Sequence, residues 1–136
     1  MEKIFVDTGG WVGLFVENDK FHKEAEAVYG EIEKRKSELY TSDYVIDETV
    51  TLIKGRSHAA NAIKVGQALL KSELIKIIPV YQQYFHKSWV SFAGYHDKPY
   101  SFTDVTSFII MKDLKIVTAF AFDEHFSMAG FKLFGL

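Results

Sequence analysis

Four carboxylates, Asp7, Glu48, Asp104 and Asp123, carry the clearest chemistry in this sequence. Asp7 closes the short apolar run Ile4-Phe5-Val6 and precedes Thr8, Gly9 and Gly10. Such a run, bounded by turn residues, reads as a buried strand. A carboxylate at its end is costly unless it is paired or metal-bound. In open α/β sheets the carboxyl ends of the strands are also where ligands bind. Asp123 ends a second apolar run, Ile116–Phe122. Asp104 opens a helix in Ser101-Phe102-Thr103-Asp104, with Phe108 and Met111 following along one helical face. Glu48 stands at the edge of an apolar helical stripe, one turn after Tyr44 and one before Leu52, whereas Asp47 turns toward solvent.

Each acid also has a structural explanation. Asp7 and Asp123 could cap the helices that follow them, Ser101 and Asp104 have capping-box spacing, and a lone helical Glu48 can snorkel outward. Taken together they point elsewhere. Parallel strands bring their carboxyl ends to one edge of the sheet, and the following helices start there. Four carboxylates on one edge repel unless some are protonated or a cation lies between them. Oxygen-only ligands suit Mg²⁺ or Mn²⁺. The chemistry natural to such a set is metal-activated water attacking a phosphodiester.

The elements needed to position these acids are legible in turn. Gly9–Val16 reads as a short buried helix. Phe21–Lys36 is a helix with Phe21, Ala25, Val28 and Ile32 at three- and four-residue spacing. Leu39–Thr41 is a strand, and Ser42–Arg56 a helix capped by Ser42 or Asp43. Its apolar positions are Tyr44, Val45, Ile46, Val50, Leu52 and Ile53. Ser57–Ser72 is a helix with Ala59, Ile63, Val65 or Gly66, Leu69 and Leu70 inward. Leu74–Val80 is a strand, Tyr81–Ala93 a helix, Gly94–Tyr100 a loop, and Ser101 to about Leu114 a helix. Ile116–Phe122 is a strand, Glu124–Ala129 a helical turn, and Phe131–Phe134 a last strand. Strands alternating with helices predict a three-layer α/β/α sandwich with a small central parallel sheet.

Composition bounds the rest. A chain of 136 residues is the size of one domain, 1–136, and at that size roughly two-thirds of the unfolded surface can be buried. With 48% hydrophobic and 15% aromatic residues the chain has the material for a packed core. The absence of cysteine excludes disulfides, thiol chemistry and cysteine zinc sites, and fits a reducing cytoplasm. A formal charge of −2 gives no overall basic field, so any contact with nucleic acid must rest on local patches. No apolar run approaches the ~20 residues of a membrane span.

Other residues carry weaker signals. No two of His22, His58, His86, His96 and His125 are spaced four apart, which argues against a helical zinc site. His125, beside Asp123, is within reach of a substrate, but packing or exposure is its simpler role. Lys54 and Arg56 are candidates to grip phosphates, or ordinary cations at a helix C-terminus. Trp89, Phe92 and Tyr95 offer stacking surfaces, with core and loop packing the simpler explanation. No phosphate-binding glycine loop is present.

Four segments in order, Phe5-Val6-Asp7-Thr8, Val45-Ile46-Asp47-Glu48, Ser101-Phe102-Thr103-Asp104 and Phe122-Asp123-Glu124-His125-Phe126, resemble the PIN-domain ribonucleases, most closely the VapC-type toxins of toxin–antitoxin pairs. The resemblance spans Val6 to Phe134. It implies Mg²⁺- or Mn²⁺-dependent cleavage of single-stranded RNA, with Asp7, Glu48, Asp104 and Asp123 as the acidic cluster. It also implies a homodimer held by a small antitoxin, with Thr8 and Thr103 orienting carboxylates. Two positions depart from the family: Ala121 stands where a threonine is common, and Glu124 where a basic residue is. Both bear on Asp123. Two other functions stay open on the residues alone: a PIN-like scaffold that binds RNA or protein without cutting, and an aspartate-based phosphatase built on Asp7. The phosphatase wants a second acid close to the nucleophile and a late-strand lysine, and neither is evident.

Overall fold

In the computed structural model, which describes residues 1–134, five parallel strands form one sheet in the order β3-β2-β1-β4-β5. The strands are β1 (Lys3–Val6), β2 (Glu38–Ser42), β3 (Ile75–Ile78), β4 (Thr118–Phe120) and β5 (Lys132–Leu133). The helices are α1 (Thr8–Phe15), α2 (His22–Arg35), α3 (Asp43–Arg56), α4 (Ala59–Lys71), α5 (Gln82–Gly94), α6 (Phe102–Asp113) and α7 (His125–Met128). The α/β/α architecture expected from the alternation is the one observed. No helix among the described residues is long and apolar enough to cross a membrane.

The strand β1 lies at the centre because it is apolar on both faces: Ile4, Phe5 and Val6 are all buried. It pairs Ile4 with Leu39 on one side and with Thr118 on the other. From β1 the chain winds outward through β2 and β3, then returns across the sheet to β4 and β5. The winding direction therefore reverses between β1 and β4. Crevices at such reversals, outside the carboxyl ends of the strands, are where open α/β sheets bind ligands. Asp7 and Asp123 both follow strands that flank this reversal.

Four corrections come from packing. The Ile116–Phe122 run pairs only over Thr118–Phe120. Ile116 instead donates its N–H to Met111 and closes α6, and Ala121 and Phe122 continue into a turn. The run is apolar because most of it is buried, not because all of it is strand, and Val117 within it is exposed. Asp123 thus stands three residues past the strand, in the turn before α7. On α3 the buried stripe is Val45, Thr49 and Ile53, and Leu52 faces outward. On α4 it is Ala62, Val65, Gly66 and Leu69, which leaves Ile63 and Leu70 exposed. Trp89 is not core either. It is exposed on α5, where its ring meets that of Phe102 at 6.2 Å.

The ends of the elements follow from local chemistry. Ser42 caps α3 through a hydrogen bond from Val45 N–H to its Oγ (3.1 Å). Lys36 terminates α2 in the left-handed region (φ 53°). His58 caps α4 by accepting from Asn61 N–H (3.1 Å), which explains why that helix starts two residues later than its sequence pattern indicates.

Candidate active site

A cleft of about 680 Å³ opens at the carboxyl edge of β1 and β4. Asp7, Glu48, Asp104 and Asp123 all line it, so the four acids picked out in the sequence do meet. They arrive from four directions: the end of β1, the middle of α3, the first turn of α6 and the turn after β4.

Asp7 is fixed through its backbone. Its N–H donates to the Phe120 carbonyl (3.1 Å), which continues the β1–β4 ladder, and its carbonyl accepts from Trp11 N–H (3.1 Å), which starts α1. The preceding carbonyl, on Val6, accepts from the Thr41 hydroxyl (2.9 Å), and Thr41 in turn accepts from the indole N–H of Trp11 (3.2 Å). These bonds are buried. They lock β2, β1 and α1 around the base of the cleft.

The Asp7 side chain has one oxygen left unsatisfied. It makes no capping bond to α1, so the cap explanation fails for it. The residue is 4% exposed, and its Oδ1 has no hydrogen-bond partner among the described residues. Burial pushes its carboxyl well above the ordinary carboxylate range, and the negative charges of Asp104, Asp123 and Glu48 push it further; only the Thr8 backbone N–H acts the other way. The Thr8 hydroxyl is also buried without a partner among the described residues. Orphaned oxygens among mutually repelling acids call for a cation.

Asp104 does both jobs that its sequence position allowed. The capping box is present: Asp104 N–H donates to Ser101 Oγ and Ser101 N–H donates to Asp104 Oδ2, each at 3.0 Å. The same carboxylate faces the cleft. Its Oδ2 also lies 2.8 Å from His125 Nδ1, a contact that the sequence did not suggest. Asp123 accepts the His125 backbone N–H on Oδ1 (3.0 Å), and its Oδ2 is 3.9 Å from His125 Nδ1. One ligand-type atom each from Asp104, Asp123 and His125 lies within 4.8 Å of the other two, a spacing that a single metal ion could bridge. Glu48 is half-buried and shares its face of α3 with Leu52 and Arg56, at four-residue intervals along the cleft wall.

Two further features of the wall are not legible in the sequence. Asp19, in the loop after α1, pairs with Arg56 (2.9 Å) and accepts Phe21 N–H on its other oxygen (3.0 Å). The rings of Phe21 and Phe122 stack at 4.6 Å, nearly parallel (4°), and close one side. Both depend on contacts between segments far apart in sequence, and no local pattern marks them.

A parallel sheet between helical layers, with an acidic cleft at its reversal point, defines a domain that brings carboxylates from four elements to one place. The chain belongs to the PIN-domain family, whose match covers residues 4–132. Within the family its likeness is to the VapC type. It is 32% identical over 128 residues to the 23S rRNA-specific endonuclease VapC20 of Mycobacterium tuberculosis, covering 94% of this chain and 95% of that protein. It is 27% identical over 125 residues to a VapC ribonuclease of Archaeoglobus fulgidus, covering 90% of this chain and 78% of that one. The crystal structure of M. tuberculosis VapC20, described as a Sarcin-Ricin loop cleaving toxin, superposes with a TM-score of 0.87 at 32% identity, over 94% of this chain and 95% of that one.

Proposed function

We propose that this protein is a divalent-cation-dependent endoribonuclease, the toxin of a toxin–antitoxin pair, with Asp7, Glu48, Asp104 and Asp123 holding Mg²⁺ or Mn²⁺. The observation that carries this reading is the Asp7 carboxyl, buried without a partner for Oδ1 and pressed by three other acids. Structural acids find hydrogen bonds; this one is kept short of them. An oxygen-rich donor set fits a hard cation better than zinc.

The division of labour follows from the contacts. The bound cation supplies Lewis-acid polarisation of the phosphoryl group and lowers the pKa of water. The chain's own residues do the rest. Asp7, anchored through its backbone to both β4 and α1, sets the floor of the site. Asp104 and Asp123 are each oriented by hydrogen bonds to one oxygen, which leaves the other oxygen outside those bonds. Lys20 and Arg56 are the lysine and arginine among the cleft residues, and they meet the phosphate backbone at the rim. The Phe21–Phe122 stack supplies an apolar wall against which a base or ribose can lie.

RNA, single-stranded or in a structured loop, is the substrate class, in keeping with the rRNA-cutting relative. A small antitoxin, a homodimer and a cytoplasmic setting belong to the same reading. The test is to incubate the purified protein with single-stranded RNA and with a ribosomal RNA hairpin, plus Mg²⁺ or Mn²⁺. Cleavage that stops with chelator and with Asp7→Asn supports the reading. Cleavage that survives both overturns it.

A further inference from the structure

His125 has no place in the four-acid scheme, yet it makes a direct contact with one of the acids. Its Nδ1 lies 2.8 Å from Asp104 Oδ2. That oxygen already accepts the Ser101 backbone N–H at 3.0 Å. An ionised carboxylate oxygen only accepts, and it has about two lone-pair sites. The Nδ1 of His125 therefore carries the hydrogen, and Oδ2 is filled by Ser101 and His125 together.

We infer that His125 is a positioning residue for Asp104, donating from Nδ1 to Oδ2 so that only Oδ1 of this acid is presented to a divalent cation. The inference rests on the proposed reading of the cleft as a cation site. His125 is itself held at three points, two through its backbone and one at its ring. Its backbone N–H donates to Asp123 Oδ1 (3.0 Å), its carbonyl accepts Ala129 N–H (3.0 Å), and the Tyr100 ring meets it edge-on at 5.9 Å. The turn before α7 is thereby coupled to the first turn of α6, so Asp123 and Asp104 are set by one rigid connection. One oxygen from each acid would suit a compact ion such as Mg²⁺, which takes few carboxylate oxygens and keeps several waters. Hydrogen-bond partners of ligating carboxylates govern metal affinity in this way.

The experiment is Mn²⁺ binding, by calorimetry or by loss of the free-ion electron paramagnetic resonance signal, on the wild type and on His125→Ala, His125→Gln and His125→Asn. The amide nitrogen of asparagine falls where Nδ1 stands, whereas that of glutamine falls where Nε2 stands. His125→Ala and His125→Gln are expected to weaken Mn²⁺ binding by about 10–100-fold. His125→Asn is expected to restore most of it, at unchanged metal-free melting temperature. Equal binding by wild type and His125→Ala overturns the inference while leaving the cation site standing. So does an asparagine variant no better than glutamine. A directly coordinated imidazole nitrogen in the pulsed resonance spectrum of wild-type Mn²⁺ overturns it by making His125 a ligand. A wild type that takes up no Mn²⁺ removes the proposed function and the inference together. If the alanine variant fails to fold, the asparagine–glutamine comparison still decides.

Discussion

Gly10 lies directly against the Phe120 carbonyl: a Cβ at Gly10 would stand 2.6 Å from that oxygen and 3.1 Å from Val6 Cγ1. Helix α1 can follow β1 so closely only because this position lacks a side chain. The same carbonyl accepts the Asp7 N–H, so any shift that relieves the clash moves the base of the cleft. Gly10→Ala is expected to destabilise the fold by about 1–3 kcal/mol, the usual cost of overpacking. Gly30→Ala, in α2 with nothing within 4 Å of its Cβ, serves as the control and is expected to stabilise by about 0.5–1 kcal/mol. Urea unfolding of the two variants reads both signs.

The Asp7 carboxyl gives the metal-free protein a pH dependence of known sign. Its folded value is raised above the ordinary 3.8, chiefly by burial and then by Asp104. The folded state therefore holds this proton more tightly than the unfolded state does. The resulting stability is fully present below 3.8 and is lost as pH rises through the raised folded value. In chelator, wild type is expected to lose stability relative to Asp7→Asn as pH is raised from 4 to 7, and the variant to be at least as stable at pH 7. Denaturant midpoints of the pair across that range check this. A variant less stable at every pH would make Asp7 a structural residue.

Local patterns revealed the sheet and the four acids because both follow from short stretches of chain. Ile4-Phe5-Val6 before Asp7 marks a strand end, and Ser101 with Asp104 marks a helix start, whatever lies around them. What stayed hidden depends on distant partners. His125 reaches Asp104 across 21 residues, and Asp19 reaches Arg56 from the loop after α1. Thr49 is polar yet fully buried on α3, whereas the apolar Leu52 forms part of the cleft wall. Hydrophobicity alone does not separate a core face from a cleft wall, because both are apolar and only the tertiary arrangement says which side is covered.

Loading the cation should reverse the penalty at Asp7. A ligand that binds only the folded state stabilises it by about 2.7 kcal/mol at 100 times its dissociation constant. Millimolar Mn²⁺ is expected to raise the melting temperature of wild type and to leave Asp7→Asn and Asp104→Asn nearly unmoved. The two substitutions at Asp104 separate its roles. Asn can still accept the Ser101 N–H, so Asp104→Asn should lose the Mn²⁺ shift while keeping the fold. Asp104→Ala also loses the capping box, at a cost of about 0.5–2 kcal/mol in the metal-free protein. Thermal shifts with and without Mn²⁺ on the three variants test the assignment.

Lys54 and Arg56 look alike in sequence, two cations near the end of one helix, but they face different surfaces. Arg56 lines the cleft, with one guanidinium nitrogen held by Asp19 at 2.9 Å, whereas Lys54 lies over the groove between α3 and α4. A guanidinium has five N–H donors, so its pairing with Asp19 aims the group without exhausting it. Arg56 is about half exposed, and the ion pair itself contributes at most about 1 kcal/mol to stability. Its larger effect should be on RNA. Arg56→Ala is expected to weaken RNA binding and to lower the salt slope by about 1, the signature of one lost phosphate contact. Lys54→Ala should change neither. Arg56→Lys should recover part of the affinity, since the charge returns without the planar fork. Binding titrations at several salt concentrations, on an Asp7→Asn background that does not cut, measure the slope directly. Equal slopes for Arg56→Ala and Lys54→Ala would mean that the RNA does not enter past the Asp19–Arg56 side of the cleft.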